Sequence, residues 1–312
     1  MVKRIVSLLP SCTEIICKLG YRKNLVGISH ECDYPNSISG LPILTKARLS
    51  AAGSSIEINH SVTELLQKGL SVYDVDANLL KSLCPDIILT QAQCEACAVS
   101  LEQVEGIVSN WTLNQTEIIS LEPNTLNEVW LSFDLVAKTM EALNSSYILK
   151  SEINERFKLL KKKFKRNGEK PTVLCIEWIE PLMLAANWVP ELVDLAGGRN
   201  VMSVSGTDSN FCSWDGIKQT NADIIIIMPC GFGIKRTLKE MHYLKSRIGW
   251  QELKAVKENQ VYIVDGNQYF NRPGPRLVDS AEILAEIINS DYFERVYSEN
   301  AWINIASSTI KD

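Results

Sequence analysis

Short apolar runs rich in β-branched residues, each bounded by turn residues, alternate along this chain with longer stretches of helical period. That alternation is the mark of strand–helix–strand units, and so of parallel sheets covered by helices. The runs predict strands over residues 4–9, 25–29, 87–91 and 117–121 in the first half. In the second half they predict strands over 172–176, 223–228 and 260–265, with a further one near 200–204. The halves echo each other. Leu83-Cys84-Pro85-Asp86-Ile87-Ile88-Leu89 resembles Thr220-Asn221-Ala222-Asp223-Ile224-Ile225-Ile226, and a helix closed by glycine recurs at Leu19-Gly20 and Ala196-Gly197-Gly198. Between the halves, residues 124–143 read as one helix and 146–166 as a second. In the second, Ile148, Leu149, Ile153, Phe157, Leu160 and Phe164 fall at helical spacing before Asn167-Gly168 stops it. About 20 residues at a rise of ~1.5 Å span roughly 30 Å, enough to bridge two lobes. The expected architecture is therefore α/β: two similar lobes, 1–123 and 169–312, with parallel-type sheets flanked by helices. Connecting helices over 124–168 include one long inter-lobe helix, and a ligand cleft is expected between the lobes beyond the carboxyl ends of the strands.

Composition narrows the class. With 312 residues, 46% hydrophobic and 22% charged, the chain can bury two ordinary cores, which excludes disordered and collagen-like classes. A net charge of -5 argues against a nucleic-acid partner, and the basic run over 158–166 reads as a solvated helix end. No apolar stretch approaches the roughly 20 residues of a membrane span. Lys3 and Arg4 precede the apolar run Ile5-Val6-Ser7-Leu8-Leu9, which is shorter than the roughly 7–15 residues of a secretory core. It reads as a buried first strand in a cytoplasmic protein, whose nine cysteines are then expected as reduced thiols.

Three segments carry a family resemblance: Arg4-Ile5-Val6-Ser7-Leu8-Leu9-Pro10-Ser11, Leu83-Cys84-Pro85-Asp86-Ile87-Ile88 and Arg272-Pro273-Gly274-Pro275-Arg276. They resemble the helical-backbone substrate-binding proteins of cobalamin and iron-siderophore importers, over nearly the whole of residues 2–289. The resemblance implies two α/β lobes, a rigid inter-lobe helix, a metal-containing ligand and delivery to an ABC permease. The short apolar start and the many loop cysteines point instead to a cytoplasmic, cobalamin-binding-like branch, in which a permease partner is doubtful.

The cysteines sort by position. Cys17, Cys84 and Cys175 are expected in the core. Ser11 with Glu14 predicts a capping box that puts Cys12 at the first helical position. Cys32, Cys94, Cys97 and Cys230 follow strands, and Cys94-Glu95-Ala96-Cys97 has a spacing that lets two thiolates reach one ion. Together these four are a candidate site for zinc or an iron–sulfur cluster, with His30 as substitute or axial ligand. The other reading of these cysteines is packing, or redox use of the pair.

His30 directly follows a strand, where a neutral imidazole suits cobalt or iron. Trp178, Trp188, Phe211, Trp214, Phe232, Tyr269 and Phe270 form an aromatic set suited to a corrinoid such as cobalamin, or to an inter-lobe interface. Asn267, Asn271 and Arg272 are candidate ligand contacts, Arg272 for a phosphate or carboxylate. The leading function is a cytoplasmic binding protein for a metal-containing cofactor. The alternatives are a cysteine- or cluster-dependent enzyme and the substrate-binding protein of an ABC importer. No phosphate loop, nucleophile elbow, HExxH or dinucleotide fingerprint is present in the sequence.

Overall fold

The computed structural model describes residues 3–49, 52–68, 70–91, 99–109, 111, 116–163 and 169–307. The chain forms two compact units, Met1–Pro123 with Asn127–Ser151, and Asn124–Leu126 with Glu152–Asp312. The first is built from β1 (Ile5–Ser7), α1 (Pro10–Lys18), β2 (Leu25–Ile28), β3 (Thr45–Ala47), α2 (Ser55–Gln67), β4 (Tyr73–Val75), α3 (Ala77–Ser82), β5 (Ile87–Thr90), α4 (Leu101–Val108) and β6 (Glu117–Ser120). Then come α5 (Leu126–Thr139) and α6 (Leu143–Lys163), inside which the chain passes into the second unit. Its sheet is parallel, in the order β2-β1-β5-β6, beside a small antiparallel pair of β3 and β4. The central strands β1 and β5 are buried at every position, which is why they read as unbroken apolar runs rather than alternating ones.

The second unit continues with β7 (Thr172–Trp178), β8 (Met183–Leu184), α7 (Val189–Leu195), β9 (Arg199–Asn200), β10 (Asn210–Phe211), α8 (Trp214–Thr220) and β11 (Ile224–Ile227). After these come α9 (Ile234–Lys245), α10 (Lys254–Lys257), β12 (Val261–Val264), a single π-type turn over Gly266–Phe270, α11 (Leu277–Ile288) and β13 (Trp302–Asn304). Its parallel strands run β9-β7-β11-β12. That is the same order as in the first unit, with β7 in the place of β1. Antiparallel β8 and β10 extend one side, and β13 closes the other against β12.

The echo noted in the sequence holds at atomic detail. Cys84 and Asn221 occupy equivalent turns and both are left-handed, at φ 44° and 45°. Two residues later, Asp86 Oδ2 accepts from the Arg4 N–H at 2.7 Å and Asp223 Oδ2 from the Thr172 N–H at 2.7 Å. Each aspartate thus ties the start of its own strand to the start of the central one. Asn tolerates this backbone region, whereas other non-glycine residues pay roughly 1–2 kcal/mol there. Replacing the exposed Cys84 by the residue of its twin position, Cys84→Asn, should therefore stabilise the protein by about 0.5–1 kcal/mol in urea denaturation. An unchanged or lowered midpoint would show that the turn is not strained.

Several expectations are corrected. Cys84 is exposed and Cys17 half-buried, whereas Cys175 is buried as expected. The Ser11/Glu14 capping box does not form: Pro10 takes the first helical position after Leu9, because its fixed φ and missing N–H suit that place, and Cys12 is fully buried two residues in. A capping box forms instead at Ser54 and Glu57, ahead of α2. The strand near 200–204 shrinks to Arg199–Asn200, since Met202 turns left-handed at φ 70°. The stop expected at Asn167-Gly168 lies outside the described residues.

The C-terminal segment is anchored within the second unit. Glu286, at 5% exposure, accepts from the N–H groups of Val296 and Tyr297 at 2.7 and 3.2 Å and from Trp302 Nε1 at 2.8 Å. Arg156 from α6 pairs with Asp279 and Glu282 of α11 at 2.6 and 2.7 Å, and the Tyr297 hydroxyl donates to Glu282 at 2.7 Å. These bonds align β13 on the edge of the sheet and cover a strand edge that would otherwise be open.

Candidate functional site

In both units the loops beyond the carboxyl ends of the parallel strands carry most of the candidate residues. In the first unit, His30 follows β2 and its Nδ1 lies 2.7 Å from Thr45 Oγ1. The same hydroxyl accepts the His30 backbone N–H at 3.0 Å and shares a 2.9 Å hydrogen bond with Ser29 Oγ. The His30 ring packs on Tyr73, centroids 5.5 Å apart, and the Tyr73 hydroxyl donates to Glu31 Oε1 at 2.9 Å. Cys32 is half-buried, with its Sγ 3.1 Å from Thr13 Oγ1, which in turn donates to Ser7 Oγ at 2.8 Å. Cys94 and Cys97 lie outside the described residues. Among the described residues no three His, Cys, Asp or Glu side chains are grouped to hold a metal ion. Burial, followed by the neighbouring Cys32, holds the Cys12 thiol well above its ordinary range, so it is a packed core thiol.

In the second unit, Trp178 ends β7 and its ring meets Phe232, centroids 5.2 Å apart at 59°. The Arg236 guanidinium, from the first turn of α9, stacks 3.8 Å over the Phe232 ring. Phe232 is buried at 2%, whereas Trp178 and Arg236 remain partly exposed. Cys230 is half-buried, and its N–H donates to the Glu177 carbonyl at 3.2 Å. Burial raises the Glu177 carboxyl to about 7 against the opposing hydrogen bond that Ser209 donates to it. Burial first, and then Glu177, push the Cys175 thiol up to about 12, which removes it from redox or nucleophilic duty.

Other predicted contacts are engaged inside the unit. Trp188 is buried and donates its indole N–H to the Phe270 carbonyl at 2.9 Å. The Asn271 amide is spent on the carbonyls of Met228 and Gly266, at 3.2 and 3.0 Å. Arg272, 7% exposed, donates to Asn267 Oδ1 at 3.1 Å. Tyr269 packs edge-on to Tyr297, centroids 6.2 Å apart, with the Arg276 guanidinium 5.5 Å from its ring. Trp214 stacks on Trp250, and Phe211 is 65% exposed on β10. Sequence reasoning overlooked Arg236, whose signal was the basic pair Lys235-Arg236 one residue beyond Pro229-Cys230-Gly231-Phe232-Gly233, and Thr45, which carried none.

A family model described as periplasmic binding protein matches residues 5–267. The chain belongs to that family. It is 24% identical over 307 residues to an uncharacterized ABC transporter substrate-binding lipoprotein of Bacillus subtilis, covering 94% of this chain and 82% of that protein. Its fold matches Staphylococcus aureus IsdE complexed with heme, with a TM-score of 0.67 at 17% identity over 92% of this chain and 99% of the other. It also matches the periplasmic vitamin B12 binding protein BtuF of Vibrio cholerae, with a TM-score of 0.63 at 18% identity over 94% and 98%.

These findings correct one expectation. A cytoplasmic location, drawn from the short apolar run at residues 5–9, is overturned by a family described as periplasmic and a full-length relative that is a lipoprotein. Zinc and iron–sulfur clusters find no support either, since the two structural relatives are described with heme and vitamin B12. Among the described residues no helix is long and apolar enough to cross a membrane.

Proposed function

We propose that this chain is the substrate-binding component of an ABC importer, working outside the cytoplasm, and that its ligand is a metal-containing macrocycle of the heme or cobalamin kind. Family membership supports the transport role, and the B. subtilis relative is described as an ABC transporter substrate-binding lipoprotein. The observation that carries the ligand class is the stack of Trp178, Phe232 and Arg236 at the carboxyl ends of β7 and β11. A partly exposed indole beside a cation held over an aromatic ring offers a flat apolar surface and a positive charge together. A macrocycle with acidic or amide side arms presents the complementary pair.

The test is titration of the purified protein with hemin and with cyanocobalamin, followed by absorbance and calorimetry. Saturable one-to-one binding of one of them is expected, weakened about tenfold or more by Arg236→Ala or Trp178→Ala. Failure of both probes to bind saturably would overturn the ligand class.

A further inference from the structure

We propose that the outer face of α9, together with the turn that follows it, docks on an anionic phospholipid membrane. Both elements belong to the second unit, and the docking does not depend on the ligand class proposed above. Ile234, Thr237, Met241 and Leu244 turn one side of α9 into the core. On the other side Lys235, Lys239, His242 and Lys245 are exposed, and their helical spacing sets them along one face, about 15 Å long at a rise of ~1.5 Å per residue. Glu240, the acidic residue of α9, is buried at 6% exposure, so the helix places no carboxylate on that face. Arg236 stands apart from it, held over the Phe232 ring. The three lysines also differ from others in the unit, since Lys170, Lys218 and Lys254 are each paired with an aspartate, at 2.5, 2.8 and 2.6 Å. Among the described residues no carboxylate pairs with Lys235, Lys239 or Lys245. A row of unpaired cations attracts a surface of phosphates, with a gain of about fivefold in affinity for each lysine that reaches it.

The turn after the helix separates a lipid surface from other polyanions. Ile248 is 90% exposed, yet its backbone is fixed. The Trp250 N–H donates to the Arg247 carbonyl at 3.0 Å, Gly249 takes a left-handed φ of 87°, and the Trp214 indole N–H donates to the Ile248 carbonyl at 2.7 Å. These bonds hold a large apolar side chain out in water at the end of the basic face. Arg247 is spent on Glu180, and Glu252 and Lys218 lie beside Gly249, Lys218 being paired with Asp215. The turn therefore adds an apolar tip to the lysines rather than further positive charge. A membrane interface uses both parts, because lysines meet the phosphates while an apolar side chain enters the headgroup boundary. An acidic polypeptide would use the lysines and leave the isoleucine in water.

The test is co-sedimentation of the full chain with vesicles of phosphatidylglycerol and phosphatidylcholine, and with vesicles of phosphatidylcholine alone, beside a titration with polyglutamate. Wild type is expected to bind the first vesicles and not the second at about 0.1 M salt, and to be released as salt is raised. The double variant Lys239→Gln, Lys245→Gln should weaken that binding at least about tenfold, and Ile248→Ser about fivefold. Melting temperatures should not change, because all three side chains are exposed. Lys161→Gln with Lys162→Gln removes the same charge from exposed positions of α6 and should change binding less than about twofold. If wild type does not bind the anionic vesicles, or if the α6 pair weakens binding as much as the α9 pair, the docking face is overturned. Vesicle binding unaffected by Ile248→Ser would overturn the role of the turn. Lysine-dependent binding to polyglutamate without binding to vesicles would assign the face to an acidic polypeptide and overturn the membrane as its partner.

Discussion

Gly266→Ala is expected to cost about 3 kcal/mol or more and to lower the melting temperature of the protein by on the order of 10 °C. The glycine opens the turn that follows β12, and a methyl group there would sit 2.3 Å from the Pro229 carbonyl oxygen and 2.7 Å from that of Met228. Both obstacles are backbone, so no rotamer change relieves the overlap. The turn over Gly266–Phe270 must move away from the loop after β11. That movement would break the bond from the Asn267 N–H to the Phe232 carbonyl at 3.2 Å and that from the Asn271 amide to the Met228 carbonyl at 3.2 Å. Phe232 carries the guanidinium of Arg236, so ligand affinity should fall along with stability. Gly106→Ala is the control: it lies in α4 with open space around its α-carbon, and should stabilise by about 0.5–1 kcal/mol. Thermal melts of the two variants decide the matter, and a Gly266→Ala melt within a degree or so of wild type would mean that the two loops separate at little cost.

The contrast between these glycines shows where sequence reading stops. Both sit in ordinary surroundings along the chain, and only the folded approach of one loop to another tells them apart. The parallel strands were legible because β1, β5, β11 and β12 are buried on both faces and so appear as continuous apolar runs. The repeated turn was legible too, down to the aspartate that each copy uses to tie two strands together. The antiparallel strands β8 and β10 were not, since each has two residues and Asn210 and Phe211 are exposed.

At the site, Trp178 is itself the last residue of β7, whereas position after a strand placed His30 and Phe232 in loops that follow β2 and β11. It could not show that Trp188, Asn271 and Arg272 are already engaged within the protein, because that depends on which carbonyls and amides the irregular turn after β12 leaves without backbone partners. Thr45 was invisible for the same kind of reason. Its hydroxyl matters only because β3 is folded against the loop that carries His30, fifteen residues away.

Glu177 supplies the second large effect, and it depends on pH. Its carboxyl, buried at the end of β7, titrates at about 7 against an ordinary value of 4.5, with burial as the cause and the Ser209 hydroxyl opposing. Between those two values the folded protein holds a proton that the unfolded chain has released, so stability falls as pH rises from 4.5 to about 7 and stays reduced above that. Glu177→Gln keeps the shape and the possibility of a bond with Ser209 but carries no charge at any pH. The variant should therefore match wild type near pH 4.5 and exceed it by about 2–3 kcal/mol at pH 8. Urea denaturation of both proteins across this range isolates the effect, because every other titrating group is shared and cancels in the difference. Parallel stability curves would show that the carboxylate is solvated in its ionised form. A gap that opens with rising pH would identify Glu177 as a buried charge tolerated at the edge of the Cys230 loop, whose first N–H rests on its carbonyl.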